Sequence, residues 1–180
     1  DLNLNAEQLG FITSAYFLTF GLFQLPLGIL LDKYGARIVQ SFLFLIAATG
    51  AILFSFGDDV LSLTIARGLI GLGVSGALMA AFKAFAVWFP KERLPLLIGL
   101  FMSAGGIGAI VASRPLEMAL QITDWRGVYL FLGIITIFVG LLIFFIVPEK
   151  KEAVDQEKPL PILKVLKHIY DLSLKDPDFT

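Results

Sequence analysis

Four ionisable side chains lie inside stretches of sequence that are otherwise free of charge: Arg67, Lys83, Arg114 and Glu117. Their types limit the chemistry they can do. Guanidinium and ammonium groups hold anions, and a carboxylate among them can balance charge or carry a proton. Nucleophilic catalysis lacks its parts, because the only histidine, His168, stands beyond the last apolar stretch and leaves no serine with an imidazole base. The chain has no cysteine, which excludes disulfides and thiolate metal sites. With a formal net charge of -1 and no basic patch, nucleic acid is not an expected partner. The groups suit a small-molecule solute, with no cofactor and no metal.

The elements that must carry these four groups are apolar to an unusual degree. The strongly apolar set makes up 57% of the chain and charged residues 16%, where soluble domains run near 25% charged. Hydrocarbon about 30 Å thick needs roughly 20 helical residues to cross it. Five segments reach that length: Leu9 to Leu31, Ile38 to Gly57, Val60 to Phe89, Leu94 to Ile122 and Gly127 to Val147, joined by short polar links. Backbone groups in lipid must be satisfied within the segment, so the segments are predicted to be helices, with Pro26 and Pro115 as internal kinks. A soluble helix bundle would need polar outer faces at a period of about 3.6 residues, and these segments show none. The fold class is therefore an all-α membrane protein, with membrane lipids as its surroundings.

In that setting a charge at the centre of a helix costs on the order of 2.5 to 3.5 kcal/mol, so each of the four needs a reason. Lys83 lies six residues before Phe89, and its stem either snorkels to the interface or reaches a solute. Arg67 and Arg114 are placed at similar depth near the outer side, and Glu117, one turn beyond Arg114, could pair with either. The three form a structural ion-pair cluster or a functional one. Their surplus of positive charge, with Lys83, favours an anionic solute, or coupling to a proton through Glu117.

If the links alternate sides, one side receives Lys33, Arg37, Lys91, Arg93 and the six lysines after Val147, and the other only Arg126. The positive-inside rule makes the first side cytoplasmic. An odd number of spans then puts residue 1 outside, and a further hydrophobic helix is expected before it. Sliding the chain by 89 residues lays Gly10, Ser14, Ala15, Pro26, Leu27, Leu31 and Arg37 on Gly99, Ser103, Ala104, Pro115, Leu116, Leu120 and Arg126. The matched helices are three spans apart and so run in opposite directions, the inverted 3+3 repeat expected of secondary transporters.

The end of the first segment and the link after it carry Gly28, Asp32, Lys33, Gly35 and Arg37, with Ala36 where a basic residue would be usual. This resembles the signature loop of the major facilitator superfamily. Arg67, Gly71 and Gly73 are similar to its fourth-helix motif, Trp88-Phe89-Pro90 with Glu92-Arg93 to the exit from that helix, and Asp124-Trp125-Arg126 to the entry to the sixth. The resemblance implies a solute transporter of twelve helices in two halves. Residues 1–148 would be helices two to six of the N-terminal half, residues 149–180 the central linker, and the C-terminal half of the same protein a partner. It also implies that Asp32 meets a helix of the other half and stabilises one access state. From the residues alone, Asp32 at a helix end can accept bonds from Arg37 or from backbone donors, Gly35 permits a tight turn, and Lys33 and Arg37 anchor the loop inside. The plainer alternative is a solvated anchor. A multi-pass cell-membrane protein working by alternating access, as a symporter for an organic anion, is the expected function; an exporter or an anchoring subunit is the alternative.

Three patterns are set aside. Gly71-Leu-Gly73-Val-Ser-Gly76 fits a dinucleotide fingerprint but has no strand before it, so close helix packing explains it better. Gly73-Val-Ser75-Gly76 resembles the serine motif of rhomboid proteases, which requires a base that is not there. Gly99, Gly105, Gly106 and Gly108 partly match an exporter motif without its Gly-Pro. After Pro148 the composition turns charged and proline-bearing, and then Ile162, Leu163, Leu166, Ile169 and Tyr170 recur at helical spacing. This predicts a cytoplasmic amphipathic helix lying on the membrane or on the protein's own face.

Overall fold

The computed structural model describes residues 4–148; the predicted amphipathic helix and linker lie outside the described residues. Within them the chain forms α1 (Ala6–Phe56), α2 (Val60–Val74), α3 (Ala77–Trp88), a 3-10 turn at Lys91–Arg93, α4 (Leu94–Ile122) and α5 (Trp125–Ile146). Straight, the 51 residues of α1 would reach about 76 Å, more than twice the hydrocarbon thickness. They are not straight. Gly35 sits at φ 80°, ψ 160°, a backbone conformation strained for any residue with a Cβ. Residues 6–34 (α1a) and 36–56 (α1b) fold back on each other, with Leu27 and Leu31 of one arm packed with Val39 and Leu43 of the other. Four helical stretches long and apolar enough to cross a membrane thus supply the five predicted crossings. The predicted loop at residues 32–37 is corrected: the helix runs on through Asp32 and resumes at Ala36, because one glycine suffices for the reversal.

Cross-helix contacts fix the directions. Thr19 Oγ1 donates to Gly68 O at 2.8 Å, Gln24 Nε2 to Ser75 O at 3.2 Å, and Lys83 reaches back to Asp32, so α2 and α3 run parallel to α1a. A Cβ on Gly50 would meet Ala66 O and Ile70 N at 2.8 Å, and one on Gly73 would strike Ala47 and Leu43, so the same helices run antiparallel to α1b. Gly133 and Gly140 bring α5 against Ala48, Ile52 and Phe44 of α1b. The small residues admit the backbones to the distance that membrane helix packing requires.

The repeat reappears in these boundaries. The 29 residues of α4 match α1a in length, Pro26 and Pro115 each lie inside an unbroken helix, and Asp124 caps α5 at the position that Gly35 holds before α1b. Arg37 Nη1 donates to Val147 O at the far end of α5 (3.4 Å), while Arg126 Nη1 donates to Ser55 O at the far end of α1b (2.9 Å) and Nη2 faces Asp58 at 3.0 Å. Two arginines 89 positions apart therefore clamp the same helix pair from opposite ends, as an inverted repeat demands.

Asp58 is exposed, so the carbonyl bond carries the outer clamp. Arg126→Ala is expected to lower stability by about 1–2 kcal/mol, and Asp58→Ala by much less. Thermal unfolding midpoints in detergent would check this, and equal losses would assign the clamp to the ion pair instead. Outside the membrane, Asp59 caps α2 by accepting from Ser62 N at 2.7 Å. Its side-chain and backbone bonds to Ser62 hold the carboxyl below the ordinary carboxylate range. The cap therefore stabilises at neutral pH and is lost only as acid titrates through that lowered value.

Candidate functional site

At the turn between α1a and α1b the signature residues separate. Asp32 Oδ1 accepts from Lys83 Nζ on α3 at 2.5 Å, with Lys83 largely buried and Asp32 largely exposed. Arg37 is not its partner: its guanidinium turns to Val147 O and lies 5.3 Å from the Phe144 ring centroid on α5. The bond expected from Arg37 is thus replaced by one from a residue 51 positions away. Lys83 does reach toward its own end of the membrane, but its ammonium stops at a carboxylate of the same bundle. Gly28 faces open space on α1a, and Lys33 lies 5.1 Å from the Tyr34 ring centroid.

Near the opposite face, Arg67 lies seven residues into α2, about 10 Å along its axis. Its guanidinium carbon is 4.8 Å from the ring centroid of Phe54 and 5.3 Å from that of Tyr129, the two rings themselves 4.4 Å apart. Cation-π attraction is strong where water is excluded, which gives this membrane charge a place to rest without a carboxylate. Its Nε is buried with no hydrogen-bond partner. The helix that carries it is locked to α1a by Gly71, where a Cβ would strike the Tyr16 carbonyl and Thr19.

Arg114 and Glu117 both lie exposed on α4, no residue of which is buried. Neither forms an ion pair with the other or with Arg67 among the described residues. The pairing considered for Glu117 is therefore not made: Arg67 is drawn to aromatic rings on α1b and α5. No cluster of three metal-ligating side chains is found among the described residues.

Two features escaped the residue pattern. The third crossing is interrupted at Ser75–Gly76, between α2 and α3, and Gln24 caps the Ser75 carbonyl from α1a. Beside the break, Gln40 is buried with neither amide atom hydrogen-bonded. Ser and Gly are unremarkable in apolar helices, and a hydropathy average conceals two glutamines. Glutamine inside an uncharged span was the signal available.

An all-α bundle of inverted triplets, crossing the membrane five times and holding cations within its apolar helices, defines the class of multi-pass membrane transport folds. Residues 1–174 match the family model of the Major Facilitator Superfamily, and the chain belongs to that family. It is 31% identical over 158 residues to an uncharacterised transporter of Bacillus subtilis, covering 87% of this chain and 36% of that one. It is 27% identical to a protein named "Probable sulfoacetate transporter" of Cupriavidus necator, with 88% and 37% covered. It is 25% identical to the hexuronate transporter of Escherichia coli K12, again with 88% and 37% covered. The chain thus spans little more than a third of the length of these relatives.

Proposed function

We propose that this chain is most of the N-terminal half of a secondary active transporter that moves a small organic anion by alternating access. The observation that carries the reading is uncompensated positive charge within the membrane: Arg67 rests on aromatic rings, and Arg114, exposed on α4, forms no ion pair among the described residues. A carboxylate or sulfonate solute would supply the missing negative charge, and two relatives are named for solutes that bear such groups, hexuronate and, as a probable transporter, sulfoacetate. In this reading Arg114 contacts the solute, Arg67 sets the local field, Glu117 carries a coupling proton, and the Asp32–Lys83 pair belongs to the gate. A C-terminal half completes the pathway, and the two halves rock about a midplane site.

The test is uptake and counterflow by the full-length protein in proteoliposomes, with hexuronate, sulfoacetate and a neutral sugar as solutes. Arg114→Gln is expected to reduce anion transport by about 10- to 100-fold, the value of one charge-assisted hydrogen bond. Glu117→Gln should abolish the response to a pH gradient while sparing counterflow. Anion uptake that survives both Arg67→Gln and Arg114→Gln would remove the basis of the proposal.

A further inference from the structure

We propose that a groove between α1a and α1b binds an anionic phospholipid, with one acyl chain along the groove and the head-group phosphate held by Lys33 and the Tyr34 hydroxyl. The assignment does not depend on the transport reading. The groove holds about 450 Å³ and is lined by Phe23, Leu30, Tyr34, Ile38, Phe42 and Ile46 among others, with no charged side chain in its wall. From Tyr34 to Phe23 it follows α1a for about 16 Å, the depth of one leaflet of hydrocarbon. Phe42 and Tyr34 are 63% and 45% exposed, so the groove opens sideways along its length. An extended hydrocarbon chain fits such a channel, and a polar solute does not.

The mouth sets the head group. Lys33 is exposed and lies against the Tyr34 ring at the end of the groove. Its neighbour Asp32, which could have neutralised it, is turned to Lys83 on α3. Lys33 forms no ion pair among the described residues, so its charge faces the interface. A zwitterionic lipid would bring its own ammonium beside Lys33, whereas an anionic lipid brings a net negative charge to the side of the membrane where basic residues gather. The tyrosine hydroxyl offers a donor at the same level, as aromatic residues do at membrane interfaces.

Native mass spectrometry of the full-length protein, released from nanodiscs containing equal amounts of phosphatidylglycerol and phosphatidylcholine, tests this. One phosphatidylglycerol should be retained in preference, and Lys33→Gln should lower the preference about fivefold, the effect of one lysine near a charged membrane surface. Lys33→Arg should keep it. Ile46→Trp, which fills the deep end of the groove, should reduce retention of both lipids. Lys91→Gln, at the next turn on the same side, should change neither. The proposal fails if the wild type shows no head-group preference, if Lys33→Gln leaves the ratio unchanged, if Ile46→Trp leaves retention unchanged, or if Lys91→Gln acts as strongly as Lys33→Gln. Thermal midpoints of each variant separate lost binding from lost folding.

Discussion

Gly73→Val is expected to prevent assembly of the bundle, with little folded protein recovered from membranes, while Gly99→Val and Gly105→Val fold normally. All three glycines lie within apolar helices, so hydropathy does not distinguish them. Their surroundings do. A Cβ on Gly73 would fall on the backbone of Ala47 and the carbonyl of Leu43, whereas nothing lies within 4 Å of one on Gly99 or Gly105. Backbone atoms cannot rotate aside as a side chain can, so α2 and α1b must separate, and with them the Gly50 contact to Ala66 and Ile70 one or two helical turns away. Gly73→Ala should already cost roughly 1–3 kcal/mol, and the branched valine more. Fluorescence-detected size exclusion and thermal midpoints would measure both. Recovery of Gly73→Val at the wild-type level and midpoint would mean that the α1b–α2 contact does not hold the fold together.

The same position shows why part of the molecule was readable in advance. Glycines 71 and 73 imply close packing because lipid offers helices no hydrophobic reason to associate, and small residues remain as the means of approach. Segment length alone gave the crossings, for hydrocarbon thickness leaves little freedom, and the offset of 89 anticipated the reciprocal clamps of Arg37 and Arg126. What stayed hidden were partners chosen in three dimensions. Arg67 could be assigned a depth but not a direction, because Phe54 and Tyr129 come from two other helices and are ordinary members of apolar runs. Glu117 is a natural counter-ion by sequence, yet α2 packs on α1, with only side chains of α5 such as Tyr129 reaching Arg67, and α4 does not approach it. Asp32 looked local to Arg37 and instead joins Lys83, since α3 runs parallel to α1a and brings its far end to the same turn.

That last pairing makes an asymmetric prediction. Lys83 is 17% exposed and Asp32 78%, so water can solvate the carboxylate without its partner far better than it can solvate the ammonium. Asp32→Asn leaves the buried charge facing a neutral amide and is expected to cost about 1–3 kcal/mol, the upper part of that range being held down by the exposure of the aspartate. Lys83→Leu removes the buried charge itself and should cost less than about 1 kcal/mol. The double variant decides the matter. If the penalty of Asp32→Asn arises from the bond lost to the Lys83 ammonium, adding Lys83→Leu should restore most of the lost midpoint, so the two changes are strongly non-additive. Transport should separate from stability in the same series: by the gating role proposed for Asp32, the double variant regains its midpoint yet remains slow in uptake. Additive losses in the midpoint would instead mean that each residue stabilises the bundle through other neighbours, and that the bond between them does not hold α1a to α3.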